Sequence, residues 1–374
     1  MYGLETVLAR ELKVLGAKHV KEVKRGVTFE GDFGFMYKAN LWLRTAIRVL
    51  LPLESFMARD ENYLYKKVKA FPWEDHFEVT KTIVVDATVF SDKFTNSLFI
   101  AQKIKDGIAD RFREVSGRRP TVDVKNAEVR INVHISGNSV TLALDSSGDS
   151  LHKRGYRTET NVAPLSEALA SGIISLTDWD MKSPLIDPMC GSGTFLLEGA
   201  LRAYNIPPNI FRKDFSFKHW KNFDEELFSL IFDKSLEKEN DFNQPILGFD
   251  KSEFVIEKAK VNIKNALMHN QIEVNACAIE DLERPEKAGA RGTIIMNPPY
   301  GKKIEADIPE LYSAIGTALK HQFQGYRAWI FTSNPEGLKH VGLKPFKKYK
   351  LYNGKLECLL VGYELYDGTR KQKK

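Results

Sequence analysis

The stretch Leu185-Ile186-Asp187-Pro188-Met189-Cys190-Gly191-Ser192-Gly193-Thr194 decides how the chain is read. Leu-Ile-Asp runs into a proline, two glycines follow, and an apolar helical pattern then covers 194–204. That is a strand, a tight turn and a helix. In α/β sheets ligands gather at this carboxyl edge of the strands. Gly191 and Gly193 lack a Cβ, so the backbone can turn sharply and approach a bound group closely. The turn departs from the dinucleotide-binding fingerprint. Leu196 stands where a third glycine would be, and the matching acid, Asp250, lies far beyond the expected twenty or so positions.

Toward the C-terminus, short apolar runs recur at 246–250, 272–279, 293–297 and 328–332, separated by helical patterns at 252–268 and 309–324. Strands alternating with helices predict a parallel, doubly wound α/β sheet. Residues 205–245 read as an insertion after the first helix, with FSFKHW (215–220) as cover for the sheet. Near the end, Asn353-Gly354 between two apolar runs signals an antiparallel hairpin. Asp187, Asp250 and Asp281 then stand at three consecutive strand ends. The first can face a cation, the second suits a ribose diol, and the third can accept from an adenine amino group. S-adenosylmethionine offers all three features and no phosphate.

After the fourth strand comes Asn297-Pro298-Pro299-Tyr300. Two prolines fix φ and make a stiff turn. The Asn297 side-chain carbonyl and the Pro298 backbone carbonyl can accept both protons of an exocyclic amino group. Tyr300 offers a ring on which a base or amide plane stacks. Methyl transfer to such a nitrogen is mostly positioning and electrostatics and needs no strong base.

The first 150 residues have a different pattern. Leu4, Val7, Leu8, Leu12 and Leu15 form one helical stripe ended by Gly16, and Val27 and Phe29 alternate as in a strand. A helix is expected over 33–50, a strand over 81–90 and a helix over 96–115. Gly137-Asn138 turns a hairpin between alternating runs. This mixture is of α+β type. The polar, glycine-containing segment SSGDSLHKRGYRTET (146–160) reads as a linker.

With 43% hydrophobic and 28% charged residues, the 374-residue chain has globular composition, which excludes collagen-like, mucin-like and wholly disordered classes. No apolar run reaches the length of a membrane helix, and no signal peptide is evident, so no membrane association is expected. Cys190, Cys277 and Cys358 are too dispersed for a disulfide framework or a metal pair, and a reducing, cytoplasmic setting is expected. The eight histidines lack ligand spacing, so no metal site is expected. The net charge of +6 permits a nucleic-acid partner without demanding one. Basic clusters are more specific: Arg118 and Arg119; Lys153, Arg154 and Arg157 around Tyr156; and Lys344, Lys347, Lys348 and Lys350 among aromatics.

DPMCGSGTFLLEGA and MNPPYG together resemble the amino-methyltransferases that use S-adenosylmethionine. LHKRGYR followed by APLSEALA, and NLWLRTAIRV near the start, resemble more narrowly the THUMP-containing RlmL-type family, which methylates guanine N2 in 23S rRNA. The resemblance implies a ferredoxin-like region at 1–50, a THUMP RNA-binding domain at 51–155 and a Rossmann-like class I methyltransferase domain at 156–374. Asp187, Gly191, Gly193, Asp250 and Asp281 fall on the family's cofactor positions, and Asn297, Pro298 and Tyr300 on its target-amine positions. Arg118, Arg119, Lys153, Arg154 and Arg157 would contact RNA phosphates. Members usually begin with a strand before the position of Gly3-Leu4-Glu5, so the first sheet is expected to lack an edge strand or the start to be truncated. Some relatives carry a second methyltransferase domain; at this length a single activity is expected. The implied partner is 23S rRNA or a large-subunit assembly intermediate. The same chemistry also serves guanosine in tRNA, adenine N6 in DNA and glutamine amides, and a non-catalytic RNA-binding role is the contrasting class.

Overall fold

The computed structural model describes residues 1–159, 165–299 and 308–366. It opens with α1 (Glu5–Leu15), a two-stranded antiparallel sheet of β1 (Lys18–Val23) and β2 (Gly26–Glu30), and α2 (Phe33–Trp42). Gly16, at φ 100°, ends α1 as expected. The helix expected over 33–50 stops at Trp42. The Glu11 carboxylate accepts the N–H groups of Arg44 and Thr45, at 3.1 Å each, and the Thr45 hydroxyl at 3.0 Å. These tertiary bonds take the place of the helical ladder.

Next come β3 (Leu50–Met57), α3 (Glu61–Ala70), β4 (Ile83–Phe90), α4 (Ser97–Ser116), β5 (Val129–Ser136) and β6 (Ser139–Asp145). They form a four-stranded sheet in the order β3-β6-β5-β4, with β4 and β5 parallel. β5 and β6 make the expected hairpin. Pro52 lies on the edge strand β3 beside a register shift, where a missing N–H is tolerated.

The second half holds α5 (Glu167–Leu176), β7 (Leu185–Asp187), α6 (Thr194–Ala203), α7 (Glu225–Leu236), β8 (Ile246–Asp250), α8 (Glu253–Asn265), β9 (Ile272–Ala276), β10 (Thr293–Met296), α9 (Ile308–Gln322), β11 (Arg327–Thr332), β12 (Lys347–Asn353) and β13 (Leu356–Glu364). Its seven-stranded sheet runs β12-β13-β11-β10-β7-β8-β9. Strands β9 to β11 in this order are parallel neighbours, and β13 and β12 add an antiparallel hairpin. The chain moves outward from β7 to β9 and returns to β10 on the other side of β7. That switch point is where doubly wound folds bind ligands.

Two expectations change. Residues 146–159 are not a solvated linker: Ser146, Ser147, Leu151, Arg154 and Tyr156 are buried. Their polar groups find partners inside the protein. Ser146 Oγ donates to Val49 O at 2.7 Å, and Ser147 Oγ donates to Asn40 Oδ1 at 2.7 Å. Hydrogen bonds of this kind offset the cost of taking polar groups out of water. Gly155, at φ 103°, passes the Phe211 carbonyl so closely that a Cβ would sit 2.3 Å from its oxygen. The segment is a buried strap. The FSFKHW stretch, in turn, does not cover the large sheet, although Phe242 later in the insertion packs there. Phe215, Phe217, Trp220 and Phe228 complete the core of the N-terminal half, where Phe217 packs on Tyr37 at 4.7 Å between ring centroids. Among the described residues no helix is long and apolar enough to cross a membrane.

Candidate active site

The end of β7 and the first turn of α6 form the floor of the site. Asp187 is 2% exposed, and its Oδ1 accepts from Met189 N–H at 3.1 Å. Among the described residues it has no ion-pair partner. Burial pushes its carboxyl well above the usual carboxylate range, the Met189 N–H opposes this, and the nearby Asp250 charge adds to it. A buried carboxyl in this state is a receptor for a cation. Gly191 and Gly193 both have positive φ, 55° and 83°, and Gly193 caps α6. These are backbone conformations that side chains resist.

Asp250 closes β8. Its Oδ2 accepts from Gly191 N–H at 3.2 Å and its Oδ1 from Ser252 N–H at 3.1 Å, where Ser252 caps α8. One carboxylate therefore ties the loop after β7 to the helix after β8. Burial first, then the nearby Asp187 and Asp250, push the Cys190 thiol well up, so it remains neutral. Asp281 is exposed and does not end a strand: β9 stops at Ala276, and Asp281 sits in a turn five residues on, where its charge adds to burial in raising the Cys277 thiol. Asn297 directly follows β10, the neighbour of β7 across the switch point. Its Oδ1 is buried and accepts no hydrogen bond from the described residues. Pro298 is buried. Tyr300 lies outside the described residues.

The basic residues divide. Arg118 and Arg119 are exposed, and Lys153 is exposed with Asp149 at 3.3 Å. Arg154 is no phosphate contact. It is fully buried, donates to Glu198, to Leu151 O, to Asn209 Oδ1 and to Arg44 O, and so joins helix α6 to the N-terminal half. Arg157 is also turned inward, with its side chain 9% exposed. It donates to Leu165 O and to Thr194 Oγ1 at the start of α6, and pairs with Glu167 at 3.3 Å. In the last basic cluster, Lys347 pairs with Asp178 and Lys350 with Glu357.

The sequence reading missed Asn262. Fully buried on α8, its Oδ1 accepts from Thr158 N–H and Glu159 N–H, and its Nδ2 donates to Glu159 O and to Ser192 O in the turn after β7. Asn265 adds bonds to Tyr156 O and Thr158 Oγ1. The strap is thus bonded to the turn that carries the two glycines. Two asparagines three apart, the first within the apolar stripe Ile256, Ala259, Ile263, were the available signal.

Comparison with known proteins agrees with this geometry. The family of the RMKL-like methyltransferase domain matches residues 154–362, the THUMP domain family 58–145, and the RlmL ferredoxin-like domain family 1–50. The chain is 38% identical over 373 residues to a ribosomal RNA large subunit methyltransferase K/L of Syntrophotalea carbinolica, covering 97% of the chain and 52% of that protein. It is 38% identical over 367 residues to the Synechocystis protein named "Putative RNA methyltransferase slr0064", covering 97% of the chain and 95% of the relative. The chain spans about half the length of the K/L relatives it matches. Among solved structures, SMU.472 complexed with SAH superposes with a TM-score of 0.86 at 29% identity, over 98% of this chain and 97% of that one. A Listeria monocytogenes protein described as a "predicted N6-adenine-specific DNA methylase" also gives 0.86, at 30% identity over 97% and 94%. A buried carboxylate, a glycine turn and an asparagine whose buried acceptor is unbonded among the described residues, all at the switch point of such a sheet, are consistent with these matches, and the chain belongs to the RMKL-like methyltransferase family, with RlmL ferredoxin-like and THUMP domains ahead of its methyltransferase domain.

Proposed function

We propose that the protein transfers a methyl group from S-adenosylmethionine to the exocyclic N2 of a guanosine in 23S rRNA, free or in a large-subunit assembly intermediate. The observation that carries the reading is the Asn297 Oδ1 atom, a buried acceptor without a donor among the described residues, directly beyond β10. An acceptor in that state costs about 1–3 kcal/mol until a donor arrives. An amino group supplies one. Asn297 Oδ1 and the Pro298 carbonyl accept its two protons, which turns the nitrogen lone pair out of conjugation with the base. The N–C bond then forms as the S–C bond breaks, and the surplus proton leaves to solvent.

The cofactor supplies an electrophilic methyl on a sulfonium. The chain's residues fit it by their donor set. Asp187 offers a buried carboxyl with no cation beside it among the described residues, which a cationic ligand would hold deprotonated, and Asp250 is placed to hold hydroxyls while fixing the turn. Asp281, on its exposed turn, is the proposed partner of the adenine amino group. Tyr300 is the proposed stacking ring. The bound SAH in SMU.472 and the names of the K/L relatives support cofactor and substrate class. Arg118, Arg119 and Lys153 are the proposed phosphate contacts, and the domain limits at 50 and 155 are likewise a proposal.

The test is transfer from radiolabelled S-adenosylmethionine to total RNA from a strain lacking the gene, with size separation and nucleoside analysis. Label in large-subunit rRNA as N2-methylguanosine is the expected result. Label in tRNA would keep the chemistry and move the substrate. Absence of label from all RNA, with label in DNA adenine or in protein glutamine, would overturn the reading.

A further inference from the structure

The turn after β7 is tied to its surroundings at three positions. Gly191 N–H donates to Asp250 Oδ2 at 3.2 Å. Ser192 O accepts from Asn262 Nδ2 at 3.2 Å. Thr194 Oγ1 accepts from Arg157 on the strap. Ser192 stands between two glycines at φ 55° and 83°. Glycine adopts positive and negative φ with similar ease, so the chain on either side does little to aim the Ser192 carbonyl. Its direction is set by what bonds it, and Asn262 supplies that donor.

The Asn262 amide is fully used. Its Oδ1 accepts from Thr158 N–H and Glu159 N–H, at 3.1 Å each, and its Nδ2 donates to Glu159 O at 3.0 Å as well as to Ser192 O. That is two acceptor and two donor bonds, the whole capacity of a side-chain amide. Turned over, the amide would set its oxygen against two carbonyls and its NH2 against two N–H groups. It therefore has one orientation. All four bonds leave α8, and they hold the end of the strap and the middle of the turn in one register. Asn265, on the next turn of α8, is different. It is exposed, and it bonds Tyr156 O and Thr158 Oγ1 on the strap alone.

We propose that Asn262 is a positioning residue for S-adenosylmethionine. Bonded to capacity by the chain itself, it is no ligand contact. It acts through Ser192, by fixing the path of the Gly191–Gly193 backbone against which the cofactor lies. This inference rests on the cofactor reading above. An effect carried by the turn falls on cofactor binding and leaves methyl transfer from bound cofactor nearly unchanged.

The experiment compares the unaltered protein with Asn262→Asp and Asn265→Ala, by calorimetric titration with S-adenosylmethionine, by steady-state methyl transfer to deproteinised large-subunit rRNA and by urea unfolding. Asn262→Asp keeps an oxygen for the Thr158 and Glu159 N–H groups and removes the donor to Ser192 O. Its cofactor Kd and KM are expected to rise about tenfold, the scale of one buried hydrogen bond lost, with kcat at saturating cofactor within about twofold. Asn265→Ala should loosen the strap at unchanged Kd. Lower stability of Asn262→Asp in urea at unchanged Kd would make the residue merely structural and overturn the proposal. So would an equal rise of Kd in both variants, which would put the effect in the strap. If Asn262→Asp does not fold, hydrogen exchange of the unaltered protein decides. S-adenosylhomocysteine should slow the Thr158 and Glu159 amides, whose acceptor is Asn262, together with those of the turn; protection of the turn alone would overturn the proposal. Failure of the broader reading looks different: the unaltered protein would then bind neither S-adenosylmethionine nor S-adenosylhomocysteine.

Discussion

The strap and the turn after β7 are both short, polar, glycine-containing segments, and both are buried. They differ in how their polar groups are satisfied. In the strap, Arg154 is met by the Glu198 carboxylate and by Leu151 O and Asn209 Oδ1, and the Ser146 and Ser147 hydroxyls are bonded. Around the turn, Asp187 has one backbone donor and no ion-pair partner, and Asn297 Oδ1 has no partner, among the described residues. A buried polar group that is fully bonded by its own chain is structural. One that is left short, at the switch point of the sheet, is a candidate ligand contact.

Arg154→Ala tests the structural side, where the largest effect is expected. It leaves the buried Glu198 carboxylate with Tyr156, at 2.9 Å, as its one remaining hydrogen-bond donor among the described residues, and with Arg44 and Arg202 as nearby charges that do not bond it. Urea unfolding should show a loss of about 3–5 kcal/mol. A loss under about 1 kcal/mol would place Arg154 with ordinary surface cations and erase the contrast. On the other side, Asn297→Ala should cut the methyl-transfer rate about 10²–10³-fold, the scale for removing one preorganised polar group, with cofactor affinity nearly intact. Equal loss of both would mean that Asn297 holds the cofactor rather than the amine.

Asp250→Ala should weaken S-adenosylmethionine binding by about 1–3 kcal/mol in titration calorimetry, since the Gly191 and Ser252 N–H groups lose their acceptor and the ligand loses its own. Unchanged affinity would remove Asp250 from the site. The smallest effect concerns pH. Burial raises the Asp187 pKa in the free protein, and a cationic ligand favours the deprotonated form. Cofactor affinity should therefore be highest above that raised pKa and decline as pH falls through it, by at most about 1.4 kcal/mol per pH unit. Asp187→Asn should bind weakly and without this pH dependence. A wild-type affinity that rises on acidification would contradict the assignment.

Legibility in the sequence followed the range of the interactions. The alternation of β7 to β11 with helices, and the hairpins at Gly137-Asn138 and Asn353-Gly354, are written in neighbours along the chain. They were readable for that reason. So were Asp187, Gly191, Gly193, Asp250 and Asn297, which the structure brings to one sheet edge because each follows or ends a strand. What escaped depended on partners far away. The end of α2 is set by Glu11, thirty-odd positions back. The strap is buried because Asn40 and Val49 bond its serines. Arg154 and Arg157 look like surface cations until Glu198 and Glu167 are found in space. A glutamate within the apolar run FLLEGALRA was the one local hint of a buried ion pair.

The aromatic insertion has a further consequence during synthesis. The N-terminal half leaves the ribosome first, yet Phe215, Phe217 and Phe228 of its core belong to a segment made later, after β7 and α6. Until that segment emerges, the face around Tyr37 has no cover and no finished fold. The two halves therefore mature together, and the N-terminal half is completed only after the strand and turn of the candidate active site have been translated.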